Sequence, residues 1–213
     1  MADHSSVVRA AWSRIDTWLE AHAPRTFAGL SPPADPADVE RAQWEMGLRF
    51  PQDLLDSLAC HDGAEGWTSL PAQPPLSVAG IVELRRRGMA LLEWSERQGH
   101  PVDGDGPDWH PLWLPWAESD GDVQVVDLRP GEMYGQVGTV HHDEGGLQDT
   151  WPSLGAYLTE VADVLEHGGT VGLAAPYLTP DGELRWELPQ HVRTEDGLTP
   201  APRARTGRTE DLR

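Results

Sequence analysis

The chain contains no lysine and a single cysteine, Cys60. One cysteine cannot form a disulfide within the chain, which is typical of a protein kept in a reducing compartment such as the cytoplasm. Long apolar runs are also absent, and the first six residues have neither the basic flank nor the apolar core of a secretion signal. The sequence therefore predicts a soluble cytoplasmic protein with no membrane partner.

Acidic residues strongly outnumber basic ones: 35 Asp and Glu stand against 16 Arg, for a formal net charge of -19. Residues 1–188 hold 31 of the acids and only 11 of the arginines. Such a surface repels a phosphate backbone, so direct nucleic-acid binding is disfavoured, whereas association with a basic protein is accelerated. The alternative is that the acidity serves only to keep the protein soluble.

The residues that are present suffice for a core, because 38% are hydrophobic and ten are tryptophan. Apolar side chains recur at three- and four-residue steps in five segments, which predicts helices near residues 6–21, 36–47, 52–60, 80–98 and 152–167. A short strand is expected at Leu76–Val78. Trp12, Trp18, Trp44 and Trp151 lie at the margins of the helical stripes and are predicted to be core residues.

A hairpin pattern follows the tryptophan-rich segment at residues 109–116. Apolar residues alternate from Val123, a Pro-Gly turn lies at residues 129–132, and a second strand returns to Val140. Carboxylates cluster beside this hairpin, and Trp116 is expected at an edge because Pro115 has no N–H for a sheet ladder. An aromatic residue among charges is typical of an interface. The predicted partner-binding residues are Asp108, Trp116, Glu118, Asp120 and Asp122.

Two clusters suggest catalysis, and neither has the spacing that catalysis needs. The run His141-His142-Asp143-Glu144 offers metal ligands, but consecutive strand residues point to opposite faces and no H-E-x-x-H helix is present. Cys60-His61-Asp62 suggests a nucleophile, but Cys60 lies beside an apolar helix face, where inert thiols are common. We therefore predict no enzyme activity and no cofactor, with a metal-dependent hydrolase using His141 and His142 as a minority alternative.

Several segments together resemble the SUKH superfamily, which joins fungal cell-wall assembly regulators of the Smi/Knr type to bacterial immunity proteins against toxins. The resemblance rests on W-S-R-I-D-T-W-L at residues 12–19, the long segment Leu30 to Leu58, H-D-G at residues 61–63, and the W-L-P and V-V-D-L-R-P strands. It implies an α+β domain in which a small, mostly antiparallel sheet is covered by helices.

The predicted domain spans residues 1–188 and ends in a hairpin or strap, because Leu184, Trp186 and Leu188 alternate after a Pro-Asp-Gly turn. Apolar residues nearly vanish beyond it, so residues 189–213 are predicted to be a disordered tail. The resemblance implies a non-catalytic protein-binding role, either immunity against a toxin or a regulatory scaffold in cell-wall assembly. The acidity favours immunity, because nuclease-type toxins tend to be basic.

Overall fold

The computed structural model describes residues 6–66, 70–71, 73–98, 109–141 and 146–203. Over these residues the chain has the predicted α+β architecture, and none of their helices is long and apolar enough to cross a membrane. The helices are α1 (Val7–His22), α2 (Pro24–Ala28), α3 (Pro36–Met46), α4 (Gln52–Leu58), α5 (Val78–Arg97) and α6 (Leu154–His167). The strands are β1 (Trp113–Ser119), β2 (Asp122–Asp127), β3 (Val137–Val140), β4 (Gln148–Trp151), β5 (Ala175–Leu178), β6 (Leu184–Glu187) and β7 (Thr199–Pro200).

Three of the helices begin at side-chain caps that the sequence makes visible. The side chains of Ser6, Asp35 and Ser153 each accept a hydrogen bond from a backbone N–H in the first turn of α1, α3 and α6. Pro36 occupies the first position of α3, where no N–H partner is needed. Gly47 ends α3 with φ of 62°, the left-handed conformation that glycine adopts without strain.

Helix α5 begins earlier than the sequence pattern indicates, and the predicted strand at Leu76–Val78 is wrong. Two side chains cap the first turn of this helix. The N–H of Val78 donates to the Asp62 carboxylate at 2.7 Å, from 16 residues upstream, and the N–H of Gly80 donates to Ser77 Oγ at 3.2 Å. The N–H of Leu76 donates to the carbonyl of Trp116. The segment before α5 therefore covers the outer edge of β1.

The main sheet has the order β1-β2-β3-β4, and every neighbouring pair is antiparallel. The predicted hairpin is confirmed as β2–β3, with Val123 opposite Val140. β1 and β2 are joined by a tight turn in which Asp120 and Gly121 both have positive φ, 52° and 92°. This is the backbone that a two-residue hairpin loop requires, and Asp-Gly supplies it.

The sheet separates two clusters of buried side chains. Helices α1 and α6 pack against each other and cover one face, where Trp12, Trp116 and Tyr157 are buried. On the other face α5 places Leu84 against Trp113 in the smaller cluster. Successive residues of β2 therefore face different clusters, with Val125 in the smaller one and Val126 in the larger one, as expected for a strand covered on both sides.

The tryptophans are not all where their spacing predicts. Trp12 and Trp18 are buried, and Trp151 is partly buried and packs on Tyr157. The core prediction for Trp44 is wrong, because its side chain is 85% exposed. Helix α3 buries only Val39 and Ala42, so its apolar contact stripe is too narrow to include Trp44.

A second, three-stranded sheet with the order β6-β5-β7 packs at the α2 end of the molecule. The predicted hairpin is formed by β5 and β6, and the N–H of Leu184 donates to Thr26 Oγ1 at 2.8 Å. The prediction of a disordered tail from residue 189 is wrong as far as residue 203. β7 pairs with β5, and the N–H of Ala201 donates to the carbonyl of Pro176. Backbone pairing orders this segment despite its low apolar content, and residues 204–213 lie outside the described ranges.

Candidate protein-binding surface

The turn between β1 and β2 brings three of the predicted site residues together. Glu118, Asp120 and Asp122 lie in a single five-residue segment that includes the tight turn. We call these three residues the hairpin surface. Asp120 is exposed, and Glu118 and Asp122 are half-buried. The N–H of Gly121 donates to Glu118 Oε1 at 3.4 Å, so this carboxylate folds over the turn. The end of the sheet is therefore strongly acidic.

An open cleft of about 360 Å³ adjoins the hairpin surface. Among the described residues, the lining has two carboxylates and no arginine. These residues are Ala64, Gly66, Pro74, Glu118, Ser119 and Asp120. The volume is at the lower end of the range for small-ligand sites. A cationic side chain of a partner would meet both carboxylates there.

His141 joins this end of the sheet and was not recognised as part of it from the sequence. Its Nδ1 lies 3.0 Å from Asp122 Oδ2, and its Nε2 lies 3.7 Å from Asp149 Oδ2. Burial alone would lower the pKa of His141, but the two carboxylates outweigh it and raise the pKa. The register of the hairpin would have predicted this contact, because pairing Val123 with Val140 places Asp122 opposite His141.

The prediction that Trp116 is a partly exposed interface residue is wrong. Its side chain is 1% exposed and packs edge-on against Tyr157, with ring centroids 5.8 Å apart. The strand is irregular between Pro115 and Ala117, and the segment before α5 covers its outer edge. No local sequence pattern indicates this cover. Asp108, the remaining predicted site residue, lies outside the described ranges.

The two clusters with catalytic residue types differ in how the structure places them. His142, Asp143 and Glu144 lie outside the described ranges. Within those ranges no group of three His, Cys, Asp or Glu side chains is arranged to hold a metal ion.

His61 lies between two hydrogen-bond acceptors rather than beside the thiol of Cys60 as a base. Its Nδ1 is 2.9 Å from the carbonyl of Ser31, and its Nε2 is 3.0 Å from Asp16 Oδ1. Burial raises the pKa of the Cys60 thiol, which keeps it protonated. Because Asp62 is occupied in capping α5, the Cys-His-Asp run has a structural role in this fold.

The architecture defines an α+β domain whose main antiparallel sheet is covered by helices and has an acidic end. The model of the SMI1 / KNR4 family (SUKH-1) matches residues 33–160, and the chain belongs to this family. The match runs from the connector before α3 into α6, so the resemblance noted in the sequence is confirmed.

Three curated relatives carry names that refer to the same family. A KNR4/SMI1 homolog of Kluyveromyces lactis is 31% identical over 43% of this chain and 18% of its own length. The cell wall assembly regulator SMI1 of Saccharomyces cerevisiae is 24% identical over 85% of the chain and 45% of its own length. The cell wall biosynthesis/cell cycle regulator smi1 of Schizosaccharomyces pombe is 27% identical over 76% and 36%. The chain thus spans less than half the length of these relatives.

Proposed function

We propose that this chain is a non-catalytic protein-binding domain that recognises a basic protein through the hairpin surface. The observation that carries the proposal is the group of three carboxylates at one end of the sheet, beside a cleft with no arginine among its described lining residues. An acidic patch of this kind steers a basic partner and fixes its orientation more than it adds affinity. The net charge of -19 extends the attraction over the whole molecule.

Two biological roles are consistent with such a domain. Immunity against a basic, nuclease-type toxin is supported by the acidity, since an acidic surface imitates the charge of a nucleic-acid substrate. A regulatory role is supported by the names of two fungal relatives, one a regulator of cell wall assembly and the other a regulator of cell wall biosynthesis and the cell cycle. We place immunity first on the charge argument and keep the regulatory scaffold as the second candidate.

The first experiment identifies the partner by its contact with the hairpin surface. A photo-crosslinking amino acid replaces Ser119, which lines the cleft, and in a matched variant it replaces Glu20 on the exposed side of α1. Irradiation in the native cells should yield a basic protein crosslinked at Ser119 and not at Glu20. A toxin domain supports immunity and a cell-wall assembly protein supports regulation, whereas equal crosslinking at both positions contradicts the proposed surface.

The second experiment measures binding of the identified partner. Glu118→Gln with Asp120→Asn removes two charges and keeps the positive φ at residue 120 tolerable, because asparagine accepts this conformation. Glu20→Gln with Glu40→Gln removes the same charge elsewhere. We expect the hairpin pair to slow association about fivefold at low salt and to weaken its salt dependence. Equal effects of the two pairs would show that only net charge matters.

A further inference from the structure

Helices α3 and α5 lie side by side and leave an open groove between them. Two adjoining cavities of about 340 and 320 Å³ form it, and both are lined by Glu45, Val82 and Arg86. On α5 the lining residues run from Val78 to Glu93. At 1.5 Å per residue this is a length of roughly 24 Å, which is enough for four turns of another helix.

The floor of the groove is apolar and adaptable. It is formed by short side chains and by two methionines, whose flexible thioethers fit differently shaped partners. These residues are Ala42, Val82, Met46, Met89 and Ala90. A floor of this kind suits the apolar stripe of an amphipathic helix, which inserts side chains at three- and four-residue intervals.

The charges on the rim are only partly neutralised within the molecule. Arg41 pairs with Asp38 and Arg86 pairs with Glu83. Glu45 on α3 and Glu93 on α5 line the same cavity, and neither forms an ion pair with any other residue in the described ranges. Arg85 lines this cavity too, and its Nη2 donates to the carbonyl of Pro111. An occupant with basic residues beside its apolar stripe would therefore meet two carboxylates, one on each wall, that have no ion pair within the described ranges.

We propose that this groove binds an amphipathic helix of a protein partner, with an apolar stripe on the floor and basic residues facing Glu45 and Glu93. This site lies between α3 and α5 and shares no residue with the hairpin surface. It stands or falls independently of the function proposed above. A partner can use both surfaces, which would give a two-point attachment.

The test uses the full chain and a synthetic 18-residue helical peptide with leucine on one face and arginine beside it. Ala90→Arg places a long side chain in the groove, and Leu91→Arg makes the same charge change one residue further on, outside it. Both positions are exposed, so both variants should fold, which circular dichroism checks. By fluorescence anisotropy we expect Ala90→Arg to weaken peptide binding tenfold or more, about 1.4 kcal/mol, and Leu91→Arg to change it less than twofold.

Several results would overturn the proposal. Equal weakening by the two variants would assign the binding to net charge, and weakening by Glu118→Gln with Asp120→Asn instead would assign it to the hairpin surface. A control peptide has glutamate in place of arginine. If it binds equally well, Glu45 and Glu93 do not attract basic residues of the occupant. Self-association of the chain, abolished by Ala90→Arg in sedimentation, would make a second copy the occupant. No peptide binding up to about 1 mM would also overturn the proposal.

Discussion

At the scale of single residues, Gly88 shows how tightly the smaller core cluster is packed. A Cβ atom at this position would overlap the indole ring of Trp109. Alanine favours a helix over glycine by about 1 kcal/mol, but overpacking a core costs about 1–3 kcal/mol. The net expectation is that Gly88→Ala lowers the free energy of unfolding by about 1 kcal/mol, measured by urea denaturation.

Gly80 in the first turn of the same helix is the control for that substitution. A Cβ there would approach the side chain of Leu76 at 3.2 Å and Ser77 Oγ at 3.5 Å, and no ring. Gly80→Ala should leave stability unchanged or raise it slightly. A Gly88→Ala protein as stable as the parent would mean that Trp109 moves aside without cost.

His61 is expected to make stability depend on pH. Burial lowers its pKa, but the hydrogen bonds to Asp16 and the Ser31 carbonyl outweigh burial, and the pKa is raised above its ordinary value of 6.5. A raised pKa means that the folded state prefers the protonated ring, so this stabilisation is complete below pH 6.5 and is lost as pH rises through the folded-state pKa. Both ring nitrogens face acceptors, which only the protonated ring can satisfy by donating twice.

Replacing Asp16 by Asn removes the charge that raises this pKa. The free energy of unfolding is measured by urea denaturation near pH 5.5 and near pH 8.5 for both proteins. Between these two pH values we expect it to fall by about 1 kcal/mol more in the parent protein than in Asp16→Asn. His141 titrates in both proteins and cancels from the difference. The same loss in both proteins would show that Asp16 does not control His61.

At the scale of elements, β7 tests how the chain after residue 188 contributes to the fold. Ending the chain after Leu188 removes the hydrogen bond from Ala201 to Pro176 and the packing of Ala201 on the core. We expect a loss of about 2 kcal/mol, seen as a lower melting temperature. Ending it after Arg203 keeps these contacts and should cost nothing measurable. Equal melting temperatures for the two shortened chains would show that β7 adds no stability.

The elements that the sequence predicts well are those whose signals are local. α1, α3 and α6 have their caps within three residues of the first turn, and the Asp120-Gly121 turn contains its own conformational preference. The clustering of the acids of the hairpin surface is predictable for the same reason, since the turn brings sequence neighbours together.

The elements that the sequence predicts poorly depend on distant partners. The N–H of Val78 at the start of α5 is capped by the distant Asp62, in addition to the local cap from Ser77. Trp116 is buried because the segment before α5 covers its strand. Trp12 and Trp44 have similar spacing signals, but only Trp12 meets a neighbouring element. The groove between α3 and α5 has no local signal at all, because its two walls are more than 30 residues apart in sequence.

At the scale of the whole molecule, the net charge of -19 sets the response to salt. Self-repulsion among the excess acids destabilises the compact state, and salt screens it over a Debye length of about 10 Å at 0.1 M. We expect sodium chloride to raise the melting temperature by several degrees between low salt and roughly 0.5 M. Choline chloride should act equally if screening is the cause, and a fall in melting temperature would show that internal ion pairs dominate instead.

The pairing of α1 with α6 has a consequence for how the chain folds during synthesis. α1 buries its apolar face mainly against α6, and about 145 residues separate the two helices. At about 5–20 residues per second, a ribosome takes roughly 7–30 s to supply that partner after α1 has been made. During this interval the apolar face of α1 lacks its main native cover, so nascent chains arrested before α6 should be sensitive to protease. Chains arrested well beyond residue 203 should resist protease. Because of the order of synthesis, α1 completes the burial of its apolar face only after α6 has been made.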